Sequence, residues 1–177
     1  MFVLRHWKKC SVALLGAVAM GGLVAAEAPD KSTPSVSASS PVEAGRYLVR
    51  IGGCNDCHTL GYDQSGGNIP ESQWLTGVPV GFQGPWGTTY PTNLRKFIQT
   101  FTADQWVQVM RARSARPPMP WPSMHAMSDQ DLKAVYEFNK SLGPGGEATP
   151  AYVPPGQEVK TPFIVFVPQM PATQPAK

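Results

Sequence analysis

The chain has 177 residues, of which 42% are hydrophobic and 15% are charged, and its formal net charge at pH 7 is +3. No basic run is interleaved with aromatic residues, so the charge gives no indication of a nucleic-acid partner. With three cysteines and three histidines, the chain is poorly supplied for a zinc ribbon, which needs two pairs of ligands.

The first 26 residues have the pattern of a secretory signal peptide. Arg5, Lys8 and Lys9 form a positive region, an apolar run follows over residues 11–24, and small residues precede a predicted cut after Ala26. Because the run is short for a membrane-spanning helix, we expect cleavage and no stable membrane span, whereas a retained segment would anchor the protein. The sequence therefore predicts export to the periplasm.

Cleavage would change both the thiol content and the charge of the protein. Cys10 would leave with the signal, so that Cys54 and Cys57 would be the only thiols of the mature chain. Loss of three basic residues would lower Lys+Arg from 15 to 12, which equals the 12 Asp+Glu, and the mature polypeptide would be neutral. Two thiols without a further cysteine suit covalent attachment of a cofactor in an oxidising compartment.

The predicted elements begin with a flexible lead-in, residues 27–40, followed by a single domain, residues 41–142. The first helix should start after Ser40 as the N-cap, with Pro41 at the first helical position and Glu43 completing a capping box. One apolar face follows at helical spacing, formed by Ala44, Tyr47, Leu48 and Ile51. A pair of glycines then ends the helix.

Directly after those glycines comes Cys54-Asn55-Asp56-Cys57-His58, the most informative stretch of the sequence. Two thiols separated by two residues can each bond one vinyl-derived carbon on the same edge of a porphyrin, and the next histidine then lies under the iron. This C-x-x-C-H pattern is that of covalent c-type haem attachment. We therefore predict one haem c, with its iron, bonded to Cys54 and Cys57 and ligated by His58. The other ring nitrogen of His58 should donate to a backbone carbonyl.

Two other interpretations of the cysteine pair are weaker. A thioredoxin-like redox pair follows a strand in a βαβ unit, and no such alternation surrounds this pair. A disulfide across two residues is geometrically poor, and it would leave His58 without a task.

Residues 59–100 are rich in Gly, Pro, Thr and Trp, and we predict that they form a long loop. A loop of this length argues against a compact domain unless something orders it, and a haem on which it packs would do so. Within the loop, Trp86, Tyr90 and Asn93 are candidate donors to the haem propionates. The alternative for each is core packing or a turn position.

Two further helices have start signals. One is predicted from Thr102, with a capping box and with Phe101 and Trp106 as a hydrophobic staple, and a pair of prolines ends it. The other is predicted from Ser128, again with the pattern of a capping box, and it ends at Gly143.

The loop between these two helices carries the candidate sixth ligand of the iron. Met119 lies within Arg116-Pro117-Pro118-Met119-Pro120-Trp121, where prolines on both sides would hold the thioether in place. A methionine opposite the histidine raises the reduction potential and closes the iron to outside ligands, which suits electron transfer. The alternatives are core packing, the commoner role of a methionine, and a different ligand among Met124, Met127 and His125.

The C-terminal part, residues 143–177, contains repeated prolines and is predicted to be an extended arm. Within it Phe163-Ile164-Val165-Phe166-Val167 is apolar and partly β-branched, and full exposure of such a run would favour aggregation. We expect the run to lie against the domain as an edge segment or, as the alternative, to meet a partner.

Several basic residues belong to the loops and helices expected around the haem. They would offset propionate charge or steer an acidic partner, with a solvated surface as the alternative, which is favoured for Arg111 and Arg113. The group comprises Arg95, Lys96, Arg111, Arg113 and Arg116.

Together these segments resemble class I c-type cytochromes, and specifically the bacterial monohaem cytochromes that serve periplasmic dehydrogenases. The resemblance covers nearly the whole mature chain. It rests on the haem motif and on five further segments, which are Gly45-Arg46-Tyr47-Leu48, Gly84-Pro85-Trp86-Gly87-Thr88, Asn93-Leu94, Arg116-Pro117-Pro118-Met119-Pro120-Trp121 and Met127-Ser128-Asp129-Gln130-Asp131-Leu132. The family implies an all-α cytochrome c fold of three or more helices around one haem. In it the first and last helices cross beside the haem, which Gly45 and Tyr136 would fit, and the distal ligand is placed at Met119.

The function expected from the resemblance is that of a periplasmic one-electron carrier rather than an enzyme. It would pass electrons from a dehydrogenase or similar redox protein to a respiratory acceptor, and a subunit of a dehydrogenase complex is one form this could take. The alternatives are a peroxidase-like haem enzyme, for which no distal His and Arg pair is identifiable, and a haem-based ligand sensor with a displaceable methionine.

Overall fold

Residues 33–168 are described by the computed structural model, and they form six α-helices, two short 3₁₀ helices and one sheet. The helices are α1 (Pro41–Ile51), α2 (Cys54–His58), α3 (Leu94–Phe97), α4 (Ala103–Ala112), α5 (Trp121–Ala126) and α6 (Asp129–Ser141), with 3₁₀ turns at Glu71–Gln73 and Ile98–Thr100. The strands are β1 (Gly81–Gly84), β2 (Gly87–Thr89) and β3 (Phe163–Val165). The predicted signal peptide, residues 1–26, lies outside the described residues.

The sheet shows that the expectation of an all-α fold was wrong, since residues 33–168 are about 40% helix and 10% strand. Strand β1 pairs antiparallel with β2 and parallel with β3, so that the order is β2-β1-β3. The tight β1–β2 turn depends on Gly87, whose φ of 94° is a left-handed conformation that favours glycine. The third strand comes from the apolar run of the arm, because phenylalanine and β-branched residues prefer extended backbone. This run lies at the edge of the sheet, as expected, with its side chains about half exposed.

The three helices predicted from their start signals are all present. Ser40 Oγ accepts a hydrogen bond from the backbone N–H of Glu43 (3.2 Å), and Ser128 Oγ accepts one from that of Asp131 (3.0 Å). Thr102 begins α4 with a complete capping box. At α1 the predicted box is only half formed, because the Glu43 carboxylate pairs with a guanidinium instead.

Helices α1 and α6 pack closely at Gly45, which holds the first and last helices together. A Cβ atom built at Gly45 would lie 2.0 Å from the carbonyl oxygen of Ala134 and 2.7 Å from Cβ of Phe138. The predicted contact between these helices is therefore present, and a residue without Cβ allows it. The aromatic residue beside Gly45 is Phe138 rather than Tyr136, whose hydroxyl donates to the carbonyl of Phe101 (2.9 Å).

The long segment between α2 and α3 is held by charged side chains of the protein. Arg46 of α1 donates to the Glu71 carboxylate (2.7 Å). The buried Arg95 guanidinium donates to the backbone carbonyls of Ser72 (2.6 Å), Gly143 (2.7 Å) and Leu142. The order that we expected from a packed haem is therefore supplied in part by the polypeptide itself.

The apolar core brings together α1, α4, α6 and the segment before α3. Its most deeply buried side chains are Val49, Leu75, Ile98, Leu132 and Phe138. Within residues 33–168, no helix combines the length and the apolar character that crossing a bilayer requires.

Candidate haem-attachment site

The haem motif forms a separate short helix, α2, so that its two cysteines lie three positions apart on a helical turn. Gly53 precedes the helix with a φ of 66°, and a Cβ there would lie 2.9 Å from the Asp56 carboxylate. This left-handed residue, which favours glycine, lets the chain leave α1 and restart at Cys54. The two glycines between α1 and the motif thus form the bend that separates α2 from α1.

Both thiols are neutral in this setting. Burial raises the pKa of Cys54 to about 11, and burial together with the Asp56 charge raises the pKa of Cys57. A thiolate is the reactive form in redox exchange, so neither residue has the low-pKa character of a redox-active pair. Both cysteines are unbridged, and the arrangement is that of two free thiols on one turn.

His58 is buried, and its ring is fixed by one hydrogen bond. Nδ1 lies 2.7 Å from the backbone oxygen of Thr92, and because a carbonyl can only accept, Nδ1 carries the proton. Burial lowers the pKa of His58, partly offset by the bond to Thr92, so that the imidazole is neutral. The unprotonated Nε2 is left with a free lone pair, which is the form of histidine that ligates a metal. The predicted carbonyl partner of His58 is thereby confirmed.

The Thr92 carbonyl is placed by the residue that follows it. Asn93 caps α3 by accepting from the N–H of Lys96 (3.0 Å), and its amide donates to the carbonyls of Gly145 (2.8 Å) and Glu147 (2.9 Å). Both amide hydrogens are therefore taken by the backbone, and the residue is 3% exposed. Asn93 thus fixes the segment whose Thr92 carbonyl orients His58, a role that the sequence did not reveal.

The other two candidate propionate donors also have partners within the protein. The indole N–H of Trp86 points to the carbonyl of Phe82 (3.3 Å), and the Tyr90 hydroxyl lies 2.6 Å from Oγ1 of Thr161. Trp86 and Tyr90 belong to the β1–β2 hairpin and its continuation, where they meet the arm. The structure brings neither of them into a hydrogen bond with the Cys and His residues of α2.

Met119 lies in the loop between α4 and α5, partly buried against the core cluster that Cys54 also borders. Of the alternatives, Met124 is buried within the core, and His125 is exposed with Nε2 donating to the carbonyl of Arg113 (3.0 Å). Met127 reaches the end of α1, where a Cβ at Gly52 would lie 3.8 Å from Cε of Met127 and 3.8 Å from Sγ of Cys54. The methionine-bearing segment 119–127 therefore comes close to the cysteine motif.

Arg111 braces this segment, although the sequence favoured a solvated surface for it. Its guanidinium donates to the Asp129 carboxylate (2.7 Å) and to the carbonyls of His125 and Met127. One planar group with five N–H donors in a fixed fork reaches three acceptors in this way, whereas a lysine would offer three donors on a compact ammonium. The signal that could have revealed this role is the acidic residue at the start of α6.

Three buried side-chain donors have no acceptor among the described residues. They are Nδ2 of Asn55, which lies between the two cysteines in the sequence, Nε1 of Trp121, two residues after Met119, and Nδ2 of Asn139 in α6. An unpaired buried N–H is costly, so a group with acceptor oxygens is expected beside it. A haem carries two carboxylates. The two unbridged thiols and the free Nε2 of His58 therefore fit a covalently held haem, and the Trp121 N–H is a candidate donor to one of its carboxylates.

Comparison with known proteins identifies relatives of this chain. The chain is 30% identical over 151 residues to the gluconate 2-dehydrogenase cytochrome c subunit of Pantoea cypripedii, over 76% of this chain and 32% of that protein. It is 27% identical to the quinone alcohol dehydrogenase cytochrome c subunit of Gluconacetobacter polyoxogenes, over 67% of this chain and 24% of that protein. The fructose dehydrogenase cytochrome subunit of Gluconobacter japonicus is 25% identical, over 76% of this chain and 28% of that protein.

By name these relatives are cytochrome subunits, and those of gluconate 2-dehydrogenase and quinone alcohol dehydrogenase are cytochrome c subunits. The chain is a homologue of dehydrogenase cytochrome c subunits at 25–30% identity, which confirms its resemblance to dehydrogenase-associated c-type cytochromes. The relatives are named as cytochrome subunits and not as catalytic subunits. The chain spans about a quarter to a third of their length. No protein-family model and no solved structure matches the chain.

Proposed function

We propose that the protein is a one-electron carrier with a single haem c bonded to Cys54 and Cys57. The observation that carries this proposal is the state of His58, whose Nδ1–H is committed to the Thr92 carbonyl and whose Nε2 is free, on the same helical turn as two neutral thiols. A bound haem would supply an iron that alternates between the ferric and ferrous states. His58 would be its proximal ligand and Met119 its distal ligand.

Each of these side chains would have a limited and specific task. The Thr92 carbonyl holds the imidazole in one orientation and one tautomer, which keeps Nε2 directed at a metal. The partly buried thioether of Met119 would hold the iron together with His58 and exclude water and other small ligands. The protein would thereby set the potential and the access to the metal, while no substrate is chemically changed.

The names of the relatives support the partner that we propose. They are cytochrome subunits of gluconate, alcohol and fructose dehydrogenases. We therefore propose a dehydrogenase or similar redox protein as donor, a respiratory protein as acceptor, and a place as a subunit of such a complex. We also propose export to the periplasm, because residues 1–26 have the pattern of a signal peptide. Mass spectrometry of the exported protein tests the export proposal, since the chain should begin at Glu27 and carry one haem.

The central test is spectroscopic. Absorption spectra of the purified holoprotein, oxidised and reduced, are recorded with and without carbon monoxide. A methionine-ligated ferric band and no change on adding the gas to the ferrous protein support the carrier. Rapid gas binding would favour the peroxidase-like enzyme or the ligand sensor. A denatured band without haem colour or peroxidase stain would overturn the proposal.

The distal ligand is tested by matched leucine variants, which keep the side-chain volume and remove the sulfur. Met119→Leu should abolish the methionine band, lower the potential and admit carbon monoxide. Met124→Leu and Met127→Leu should leave the spectrum unchanged, because isosteric swaps of apolar side chains are well tolerated. If one of the two control variants loses the band instead, the ligand assignment moves to that residue.

A further inference from the structure

The C-terminal arm contacts the loop that joins α4 to α5 and carries Met119, residues 113–120, which we call the methionine loop. The residues from Arg111 at the end of α4 to Pro117 in this loop are exposed. Core packing therefore does not fix the residues that lead into Met119. Besides the flanking prolines, contacts from other parts of the chain restrain these residues.

The first contact from the arm is made by Tyr152. The guanidinium carbon of Arg116 lies 3.7 Å from the centroid of the Tyr152 ring, and Arg116 is three residues before Met119. The hydroxyl of the same tyrosine donates to the carbonyl of Trp86 (2.8 Å), which lies in the β1–β2 turn. Tyr152 is thus tied to the hairpin through its hydroxyl and stacks on the methionine loop through its ring.

The second contact runs through the hairpin. Val153 and Thr88 exchange two backbone hydrogen bonds, of 2.8 Å and 3.0 Å. The next residue of β2, Thr89, donates its hydroxyl to the carbonyl of Pro117 (2.8 Å), two residues before Met119. The arm therefore fixes β2, and β2 in turn holds the backbone of the methionine loop.

The segment that follows Met119 in the sequence is restrained independently of the arm. Arg111 donates to the carbonyls of His125 and Met127, and Arg113 lies over the rings of Phe97 and Trp121 at 5.2 Å and 5.9 Å. The segment after Met119 is consequently held from α4 and α6. The segment before it is held by Tyr152 and the hairpin.

We propose that Tyr152 is a positioning residue for the sixth iron ligand, and that the arm acts as a strap that keeps the Met119 sulfur on the metal. This inference rests on the proposed function, because it concerns ligation of a haem iron. Loss of the Tyr152 ring would free the Arg116 end of the loop and let the sulfur leave the iron for part of the time. The arm then controls access of small molecules to the metal.

The test compares five holoprotein variants with the wild type, which are four single variants and the double variant that combines Tyr152→Ala with Arg116→Ala. Tyr152→Ala and Arg116→Ala each remove the stacked pair. Tyr152→Phe keeps the ring and removes only the hydroxyl, and Glu158→Ala changes an arm residue outside these contacts. The measurements are the intensity of the methionine-ligated ferric band, the reduction potential and the rate of carbon monoxide binding to the ferrous protein. Urea unfolding of each variant shows whether the fold is retained.

Tyr152→Ala and Arg116→Ala should each increase the rate of gas binding at least tenfold and weaken the ferric band. The double variant should go no further than either single variant, because both remove the same contact. Tyr152→Phe should restore most of the closed behaviour, and Glu158→Ala should match the wild type.

Folded Tyr152→Ala protein with the wild-type band and gas-binding rate would overturn the inference and leave the proposed function intact. Should Tyr152→Ala not fold, the exposed Arg116→Ala variant decides the question alone by the same two readouts. The proposed function itself fails earlier and separately, if the wild-type protein carries no covalent haem or shows no methionine band.

Discussion

At the scale of single residues, the site depends on hydrogen bonds that the chemistry of each side chain determines. The Thr92 carbonyl cannot donate, so the proton of His58 must lie on Nδ1 and Nε2 must be free. The same logic applies to Trp121, whose buried indole N–H can only donate and has no acceptor among the described residues. One residue is satisfied by the protein, and the other requires an acceptor from elsewhere.

This difference yields a prediction for Trp121. If its N–H donates to a haem carboxylate, Trp121→Phe should lower the reduction potential by an amount equivalent to about 1 kcal/mol, because the carboxylate charge near the iron is then less well neutralised. Potentiometric titration of the holoprotein measures the shift. Trp106→Phe is the matched control, since the Trp106 indole already donates to the Leu132 carbonyl (3.0 Å). The control should lose stability and keep the wild-type potential. Equal potentials in the Trp121→Phe and Trp106→Phe proteins would contradict the assignment.

A second residue-scale prediction concerns the amide of Asn93. Asn93→Ala removes two donors to buried carbonyls and one helix cap, and it should lower the free energy of unfolding by about 2 to 4 kcal/mol. The control is Asn68→Ala, because Asn68 makes one exposed bond to the carbonyl of Ser65 (2.9 Å) and should cost less than about 0.5 kcal/mol. Urea unfolding followed by circular dichroism compares the two variants. Equal losses would show that the amide of Asn93 does not hold the loop.

At the scale of elements, local signals were reliable and long-range pairing was not. The N-caps at Ser40, Thr102 and Ser128 depend on residues within one helical turn, and all three helices begin where those residues predict. Strand β3 pairs with β1 although about 80 residues separate them, and both strands are too short to show an alternating pattern. The all-α expectation was wrong for this reason, since no local rule registers a contact between distant segments.

The site shows the same division. The motif from Cys54 to His58 could be predicted because the spacing itself carries the chemistry. A backbone carbonyl partner for the imidazole could be expected from metal-ligand chemistry, but the sequence did not identify it as that of Thr92. The contacts that restrain the methionine loop could not be predicted. Arg111 donates to backbone carbonyls, and the Tyr152 ring stacks on a guanidinium that is distant in the sequence. Backbone acceptors have no signature in the sequence of the residue that provides them.

The contact between α1 and α6 gives a prediction at this scale. Gly45→Ala would place a methyl group 2.0 Å from the Ala134 carbonyl oxygen, and because that atom belongs to the backbone, the helices would have to move apart. We expect the free energy of unfolding to fall by about 3 kcal/mol. Arg50→Ala on the exposed side of α1 is the control and should change it by less than about 0.5 kcal/mol. A Gly45→Ala protein as stable as this control would mean that the helices do not approach so closely.

At the scale of the whole molecule, the described part of the arm, residues 143–168, is part of the folded domain and not an appendage. It contributes the edge strand of the sheet, the Val153 pair with Thr88 and the acceptor carbonyls for Asn93. The side chains of residues 163–167 are nevertheless 42–55% exposed. Backbone pairing thus attaches the arm to the domain while its apolar side chains are only partly covered. Attachment to the domain and contact with a partner can therefore be tested separately.

Deletion of residues 153–177 tests whether the apolar run stabilises the domain or binds a partner. The deletion removes the two backbone bonds to Thr88, the contact between Tyr90 and Thr161 (2.6 Å), and the bonds from Gly81 N–H to Pro162 (2.9 Å) and from Phe166 N–H to Gln83 (2.7 Å). Because net hydrogen-bond contributions are each about 1 kcal/mol, the free energy of unfolding should fall by about 3 kcal/mol or more. Chemical denaturation of the holoprotein measures the loss, and deletion of residues 169–177 alone is the reference. Unchanged stability with loss of binding to a dehydrogenase partner would instead identify the run as an interface, and the parallel pairing of β3 with β1 would then contribute nothing to the stability of the fold.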